Sequence, residues 1–153
     1  MALPVGDLAE LFAAIVDIAS VSGDERQLAD AVEDTLRGAA HLGVIRDGDT
    51  IIARTDLGRP SRVVIAGHLD TVPIADNLPS HWETGANGAE LYGRGTTDMK
   101  GGIAVMLRAA LALTNPVSDI TWVFYDQEEV SYERNGLGRV MARYPDLIRG
   151  DFA

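Results

Sequence analysis

The stretch that decides the fold reads Arg62-Val63-Val64-Ile65-Ala66-Gly67-His68-Leu69-Asp70. Its consecutive apolar residues are typical of a strand buried on both faces of a sheet, and we predict a strand over 62–66. A histidine and an aspartate follow directly, in the position where α/β sheets usually carry functional side chains. An isolated His-x-Asp pair is more often the polar start of a loop, so its meaning depends on the rest of the chain.

Strands and helices alternate on both sides of this stretch. Further strands are predicted at 41–46, 50–54 and 120–125, with Asp47-Gly48 as a hairpin turn between the first two. Helices are predicted from Leu8 behind an Asp7 cap, from the capping-box pair Ser22 and Glu25 to about Arg37, over 99–114 and over 136–144. The polar stretch that contains Pro73, Pro79, Gly85 and Gly88 is predicted to be mostly loop. This alternation predicts a layered α/β domain.

The composition excludes several classes of function. The chain has 23 acidic and 13 basic residues and a net charge of −10, so we expect neither a nucleic acid nor a membrane as partner, because both need a basic face. It has no cysteine, which excludes disulfides, thiolate metal sites and cysteine nucleophiles. We find no signal-peptide pattern and no apolar stretch near the roughly 20 residues needed to span a bilayer. We therefore expect a cytoplasmic protein.

A second candidate site is the glycine-rich run Gly93-Arg94-Gly95-Thr96-Thr97-Asp98-Met99-Lys100-Gly101-Gly102. A dinucleotide-binding loop would need a glycine where Asp98 stands, and a Walker loop would need Ser or Thr after Lys100. A flexible turn before a helix would explain the glycines but not the position of the carboxylate. A carboxylate at such a bend can also reach a metal ion, and both interpretations stay open for this run alone.

A third candidate site, Asp126-Gln127-Glu128-Glu129, follows the predicted strand at 120–125. Such acidic residues can be a solvated loop or a helix cap. Adjacent carboxylates repel one another, however, and a cation or a shared proton makes it easier to keep them together. Combined with His68 and Asp98, they offer imidazole and carboxylates without thiolate, which is the donor set of a catalytic zinc site.

In combination, the motifs resemble those of the zinc aminoacylases and carboxypeptidases. The matching segments are 67–73, 93–102 and 128–129, in the order and with the separations of that family. The resemblance implies a layered α/β/α zinc-exopeptidase-like catalytic domain with two zinc ions, for which cobalt is a possible substitute. It also implies a small-molecule N-acyl amino acid as substrate.

The resemblance assigns a role to each residue of the candidate site. His68 would bind one zinc ion and Asp70 would orient it. Asp98 would bridge the two zinc ions, and the peptide bond after it is often cis in family members. Glu128 would be the general base, and Glu129 would bind the other zinc ion.

Three segments, 76–80, 122–126 and 130–138, resemble the actinobacterial branch of the family, whose members hydrolyse N-succinyl-diaminopimelate on the route to lysine. Family members also carry a further carboxylate ligand, a distant histidine ligand and a lid domain that mediates dimerisation. The resemblance therefore implies that residues 1–153 are the N-terminal portion of an incomplete catalytic domain, inactive alone, and that the full-length protein is a homodimer. His41 and His81 match no ligand position and are interpreted as surface or packing residues.

Two alternatives stay open at this point. The first is another hydrolase of the family, such as an aminoacylase, an acetylornithine deacetylase or a dipeptidase, because the residues that select the acyl group lie mainly beyond Ala153 in relatives. The second is a non-catalytic metal-binding module. Glu128 beside Glu129 argues against the module, since a binding module has no use for a base at that place.

Overall fold

The computed structural model describes residues 3–86 and 88–153. Its helices are α1 (Leu8–Asp17), α2 (Arg26–Arg37), α3 (Gly101–Ala112), α4 (Gly136–Arg143) and α5 (Pro145–Ile148). Its strands are β1 (Gly43–Asp47), β2 (Thr50–Arg54), β3 (Arg62–His68), β4 (His81–Gly85), β5 (Gly88–Tyr92) and β6 (Asp119–Tyr125). A short kinked helical segment, Thr96–Lys100, precedes α3, and a 3-10 turn, Tyr132–Arg134, precedes α4.

Four strands form the central sheet in the order β1-β2-β6-β3. β2 pairs antiparallel with both β1 and β6, whereas β3 runs parallel to β6. Parallel strands end at the same edge of a sheet, and His68 at the end of β3 lies opposite Tyr125 at the end of β6. The parallel pair therefore determines where the two loops that follow it meet.

Helices cover both faces of this sheet. Along β6, Trp122 and Phe124 lie in a core shared with α1, α2 and α3, while Val123 lies in a second core with Val140 of α4. The same alternation occurs in β2, where Ile51 and Ile52 belong to different cores. Burying side chains on both faces explains the continuous apolar runs of these strands. The predicted α/β/α layering is confirmed.

Several boundaries and one loop differ from the sequence-based expectations; β1, for example, is Gly43–Asp47 rather than 41–46. β3 continues to His68, two residues beyond the predicted end, and α3 begins at Gly101 because Asp98 and Met99 have non-helical backbone angles. The stretch expected to be mostly loop contains the antiparallel hairpin β4–β5. Four of the five residues of β4 are exposed, so this strand lacks the apolar alternation that would have revealed it.

The predicted capping box at the start of α2 was wrong. α2 begins at Arg26, and Glu25 stands at the cap position without a side-chain capping bond. The Ser22 hydroxyl instead donates to Asp70 at 2.6 Å, and the Glu25 carboxylate accepts from the backbone N–H of Gln127 at 3.2 Å. Ser22 and Glu25 therefore contact Asp70 and Gln127, which are distant in sequence, and the capping box does not form.

In the described part of the chain, every helix is too short or too polar to cross a membrane.

The buried carboxylate of Asp119 fastens the connection between β2 and β3 to the start of β6. It accepts a hydrogen bond from the Thr55 hydroxyl at 2.8 Å and from the backbone N–H groups of Leu57 at 2.8 Å and Arg59 at 2.9 Å. Burial would raise the pKa of Asp119, but these hydrogen bonds outweigh it and lower the pKa. The ionised carboxylate therefore stabilises the fold.

We predict that Asp119→Ala lowers the free energy of unfolding by about 2–4 kcal/mol at neutral pH, because buried donors lose their acceptor. The folded-state pKa is lowered, so this stabilisation is present above the ordinary carboxyl pKa and is lost as the pH falls through the lowered value. The difference between wild type and variant should therefore shrink in acid. Urea unfolding at several pH values measures it, with the exposed Asp56→Ala as control. Equal midpoints for the two variants would contradict the assignment.

Candidate metal centre

Two loops meet at the carboxyl edge of the sheet because β3 and β6 are parallel. The loop after β3 contains Asp70, and the loop after β6 is Asp126–Glu129. The two are joined at their start by a hydrogen bond of 2.7 Å from the Leu69 N–H to the Tyr125 carbonyl. The His-x-Asp pair and the acidic run are therefore spatial neighbours.

A third loop, ending in the kinked segment, brings Asp98 to the same edge. The Asp98–Met99 peptide bond is cis. Lys100 anchors the segment to α1. Its side chain is buried, and its ammonium group donates to the backbone carbonyls of Val16 at 3.3 Å and Ile18 at 2.6 Å. Burial lowers the pKa of Lys100 to about 8. The end of α1 thus holds the segment that carries Asp98.

Glycine is required at position 95 of the run 93–102 because of the local backbone conformation and packing. Its φ is +82°, a left-handed conformation that favours glycine. A Cβ atom there would lie 2.7 Å from the Thr71 methyl group and 3.1 Å from the Lys100 side chain. The loop is packed tightly against the strand–loop junction that follows Asp70.

His68, Asp98 and Glu129 form a compact group of possible ligands. Each offers one ligand atom, and these atoms all lie within 4.8 Å of one another. Nε2 of His68 is 2.9 Å from Oδ1 of Asp98. The His68 imidazole is buried, whereas the Asp98 side chain is 71% exposed. The group is closed on the sheet side and open on the other, as a substrate-accessible metal site must be.

The other ring nitrogen of His68 contacts Asp70. Nδ1 of His68 lies 3.0 Å from the Asp70 carbonyl oxygen and 3.4 Å from its carboxylate Oδ1. Contact with a carboxylate on one nitrogen fixes the ring and leaves the other nitrogen for a metal ion. The fully buried Asp70 carboxylate also accepts from the Ser22 hydroxyl at 2.6 Å and from the N–H groups of Glu128 at 2.9 Å and Glu129 at 3.0 Å.

The electrostatics of the group favour positive charge at its centre. Burial lowers the pKa of His68, but the carboxylates of Asp70 and Asp98 outweigh it and raise the pKa to about 9. Burial would raise the pKa of Asp70, but its four donors lower it to about 2. Burial and the neighbouring Asp98 carboxylate raise the pKa of Glu129. A cation among these groups would relieve the repulsion between the carboxylates, so the residues present fit a divalent metal ion.

The remaining residues of the acidic run have separate positions. Asp126 is buried and points away from the ligand group, where it accepts from the Thr50 hydroxyl and, at 2.7 Å, from Arg139. Glu128 is exposed beside the ligand group. Its side chain is thus available to a substrate while its backbone N–H is bound by Asp70.

Sequence reasoning missed the contribution of Ser22 and Glu25 to this centre. Both were assigned to the cap of α2 from their spacing, whereas their side chains contact the two loops that carry the candidate site. The one available signal was that Gly23-Asp24 lies between Ser22 and Glu25, because glycine and aspartate are typical of a turn.

His41 and His81 lie apart from the ligand group. Nε2 of His41 is 2.9 Å from the Ala110 carbonyl oxygen, at the end of α3. His81 lies on the exposed hairpin, where it stacks on Tyr92 and contacts Glu83 at 2.8 Å. Neither histidine belongs to the ligand group.

The layered fold and the ligand group at its strand ends define a metallo-exopeptidase-like domain. An M20 family metallo-carboxypeptidase from Sulfolobus solfataricus has this fold, with a TM-score of 0.73 over 95% of this chain and 36% of that chain, at 14% sequence identity. A model of the peptidase family M20/M25/M40 matches residues 64–152. The chain belongs to this family, and membership of this metallopeptidase family implies binding of divalent metal ions.

Two curated relatives are similar over most of the chain. It is 49% identical over 149 residues to "Putative succinyl-diaminopimelate desuccinylase DapE" of Mycobacterium tuberculosis, and 46% identical over 154 residues to succinyl-diaminopimelate desuccinylase of Corynebacterium glutamicum. In each case the match covers 97% of this chain and 41% of the relative. The chain thus spans about two fifths of the length of these relatives.

We predict that Asp70→Asn weakens metal binding by about 10- to 100-fold in the full-length protein, the usual effect of removing an outer partner of a ligand. An amide at this position keeps the shape but presents donors to N–H groups that need an acceptor. Zinc affinity can be measured by competition with a coloured chelator. The exposed Asp146→Asn is the control, and equal zinc affinity for the two variants would show that Asp70 does not support the site.

Proposed function

We propose that this chain supplies part of the active site of a succinyl-diaminopimelate desuccinylase, which hydrolyses N-succinyl-LL-diaminopimelate to succinate and LL-diaminopimelate. One observation carries the proposal: His68, Asp98 and Glu129 converge within 4.8 Å directly beside the exposed Glu128. The identity of 49% to the mycobacterial relative supports the choice of substrate.

The donor set suits two zinc ions, with cobalt as a possible substitute. His68 would hold one ion, Glu129 the other, and Asp98, the ligand nearest the open side, would be shared by both. Bound there, the ions would supply Lewis acidity to the amide carbonyl and to the attacking water. Ligands from outside these 153 residues would complete the coordination.

The proton transfers fall to Glu128. Its carboxylate would accept a proton from the attacking water and donate it to the leaving amine, which is general acid–base catalysis. Asp70 would contribute indirectly, because the same carboxylate that contacts His68 also binds the backbone N–H groups of Glu128 and Glu129. The base and the ligands are thus fixed relative to one another by one buried group.

For the complete protein we propose the organisation implied by the family. These residues would form the N-terminal portion of the catalytic domain, which is supported by their coverage of 41% of the two curated relatives. A lid domain would mediate a homodimer. We assign the reaction to the cytoplasmic route to lysine and diaminopimelate, with a small molecule, and neither nucleic acid nor membrane, as partner.

We predict that Glu128→Gln in the full-length protein retains its metal and loses turnover by about 10²–10⁴-fold, the usual loss when a general base is removed. The amide matches the carboxylate in shape but cannot accept the proton. Metal content and kcat should be measured together. Glu133→Gln, an exposed substitution five residues away, is the control. A kcat near that of wild type would rule out Glu128 as the base.

We also predict that the full-length protein hydrolyses N-succinyl-LL-diaminopimelate with a higher kcat/KM than N-acetyl-diaminopimelate, N-acetylornithine or a dipeptide. Chromatographic quantification of the released product, with equal concentrations of each substrate, measures this preference. A preference for an acetylated substrate or a dipeptide would assign the chain to another activity of the family. A metal-loaded protein that hydrolyses none of them would support the non-catalytic module.

A further inference from the structure

Glu25 is a buried carboxylate for which the proposed mechanism provides no role. Its residue is only 1% exposed, and charged residues are almost never buried to this degree without partners. Its Oε1 accepts two hydrogen bonds, from the backbone N–H of Gly23 at 2.8 Å and from that of Gln127 at 3.2 Å. Gly23 belongs to the same turn, but Gln127 lies 102 residues further along the chain.

The N–H that Glu25 contacts belongs to Gln127, the residue immediately before Glu128. Gln127 has a φ of +59°, a left-handed conformation that a residue with a side chain rarely adopts. This reversal lets three successive N–H groups, those of residues 127, 128 and 129, reach buried carboxylates. The first goes to Glu25, and the next two go to the two oxygens of Asp70.

Each end of this short loop has its own attachment. On the upstream side, Asp126 accepts from Arg139 at 2.7 Å, and on the downstream side, Asp70 holds the N–H groups of Glu128 and Glu129. Glu25 supplies the contact between them, at the residue with the unusual backbone conformation. The direction in which Glu128 leaves the loop therefore depends on two carboxylates that approach from different parts of the chain.

Ser22 connects the turn that bears Glu25 to the same centre. Its hydroxyl donates to Asp70, and its N–H donates to the Thr71 carbonyl at 3.1 Å. Residues 20–25 thus lie along the loop after β3 while Glu25 reaches across to the loop after β6. Because the turn is attached to one loop and contacts the other, it sets the spacing between them.

We propose that Glu25 is a positioning residue for Glu128, holding the left-handed Gln127 peptide so that the Glu128 carboxylate faces the substrate beside the ligand group. This inference rests on the proposed role of Glu128 as general base. A base displaced by about 1 Å can lose about 10²-fold in rate, so the contact has a measurable consequence.

The test uses the full-length, metal-loaded protein and N-succinyl-LL-diaminopimelate. Glu25→Met has a similar size but no acceptor, and kcat should fall by about 10- to 100-fold while KM and metal content stay unchanged. Glu25→Gln keeps an amide oxygen where Oε1 accepts both N–H groups, and it should restore most of kcat. Thr55→Val, which removes a buried hydrogen bond to Asp119 far from the site, is the matched control and should lower the melting temperature without changing kcat.

A double-mutant cycle separates positioning from a general loss of structure. If Glu25 acts through Glu128, adding Glu25→Met to Glu128→Gln should leave the residual rate unchanged. Additive losses, or a wild-type kcat for Glu25→Met alone, would overturn the inference. If Glu25→Met does not fold, Glu25→Asp decides: it keeps the charge but shortens the reach, so an unchanged kcat would likewise overturn it. Normal activity of Glu128→Gln would instead refute the proposed function itself.

Discussion

The arrangement of the candidate site depends on the Asp70 carboxylate. This fully buried group contacts His68 on one side and accepts hydrogen bonds from Ser22 and from the N–H groups of Glu128 and Glu129 on the other. Such charge-assisted hydrogen bonds are stronger than neutral ones. One side chain therefore joins the loop after β3, the loop after β6 and the turn before α2. The ligand and the proposed base cannot move independently while it is ionised.

Two buried aspartates of similar burial illustrate how the partners decide the role of a carboxylate. Asp126 forms an ion pair with Arg139, which also contacts Asp47, so its charge is compensated by a network that serves the packing of α4 on the sheet. Asp70 receives its bonds from neutral donors and from His68. The negative charge of Asp70 therefore acts on the His68 imidazole through Nδ1, and it favours binding of a cation at Nε2. The same residue type is structural in one place and part of the candidate centre in the other.

The layered fold could be predicted from the sequence because it leaves a strong pattern, whereas the ligand group was expected only from three motifs in combination and from their resemblance to a family. The apolar runs of β3 and β6 mark strands buried on both faces, and the parallel pairing of such strands brings the residues after them together. The hairpin β4–β5 left no such pattern, since most of its side chains are exposed on both faces. Ser22 and Glu25 were misassigned for a different reason. Their spacing satisfies a local rule, but Ser22 donates to Asp70, 48 residues away, and Glu25 accepts from Gln127, 102 residues away, as well as from Gly23.

That misassignment has a physical basis in the chemistry of the cap itself. In a capping box, two side-chain oxygens accept hydrogen bonds from backbone N–H groups that have no partner within the helix. The same two oxygens can serve any nearby donors, and in this fold the loop after β6 presents a left-handed peptide whose N–H has no strand partner. This N–H is partly buried. A fully buried N–H without a partner costs about 1–3 kcal/mol, whereas a cap at a helix start that water can solvate is typically worth ~1 kcal/mol. Pairing with the loop after β6 thus satisfies a donor that water reaches less easily than a helix start, and it makes the turn before α2 part of the candidate site.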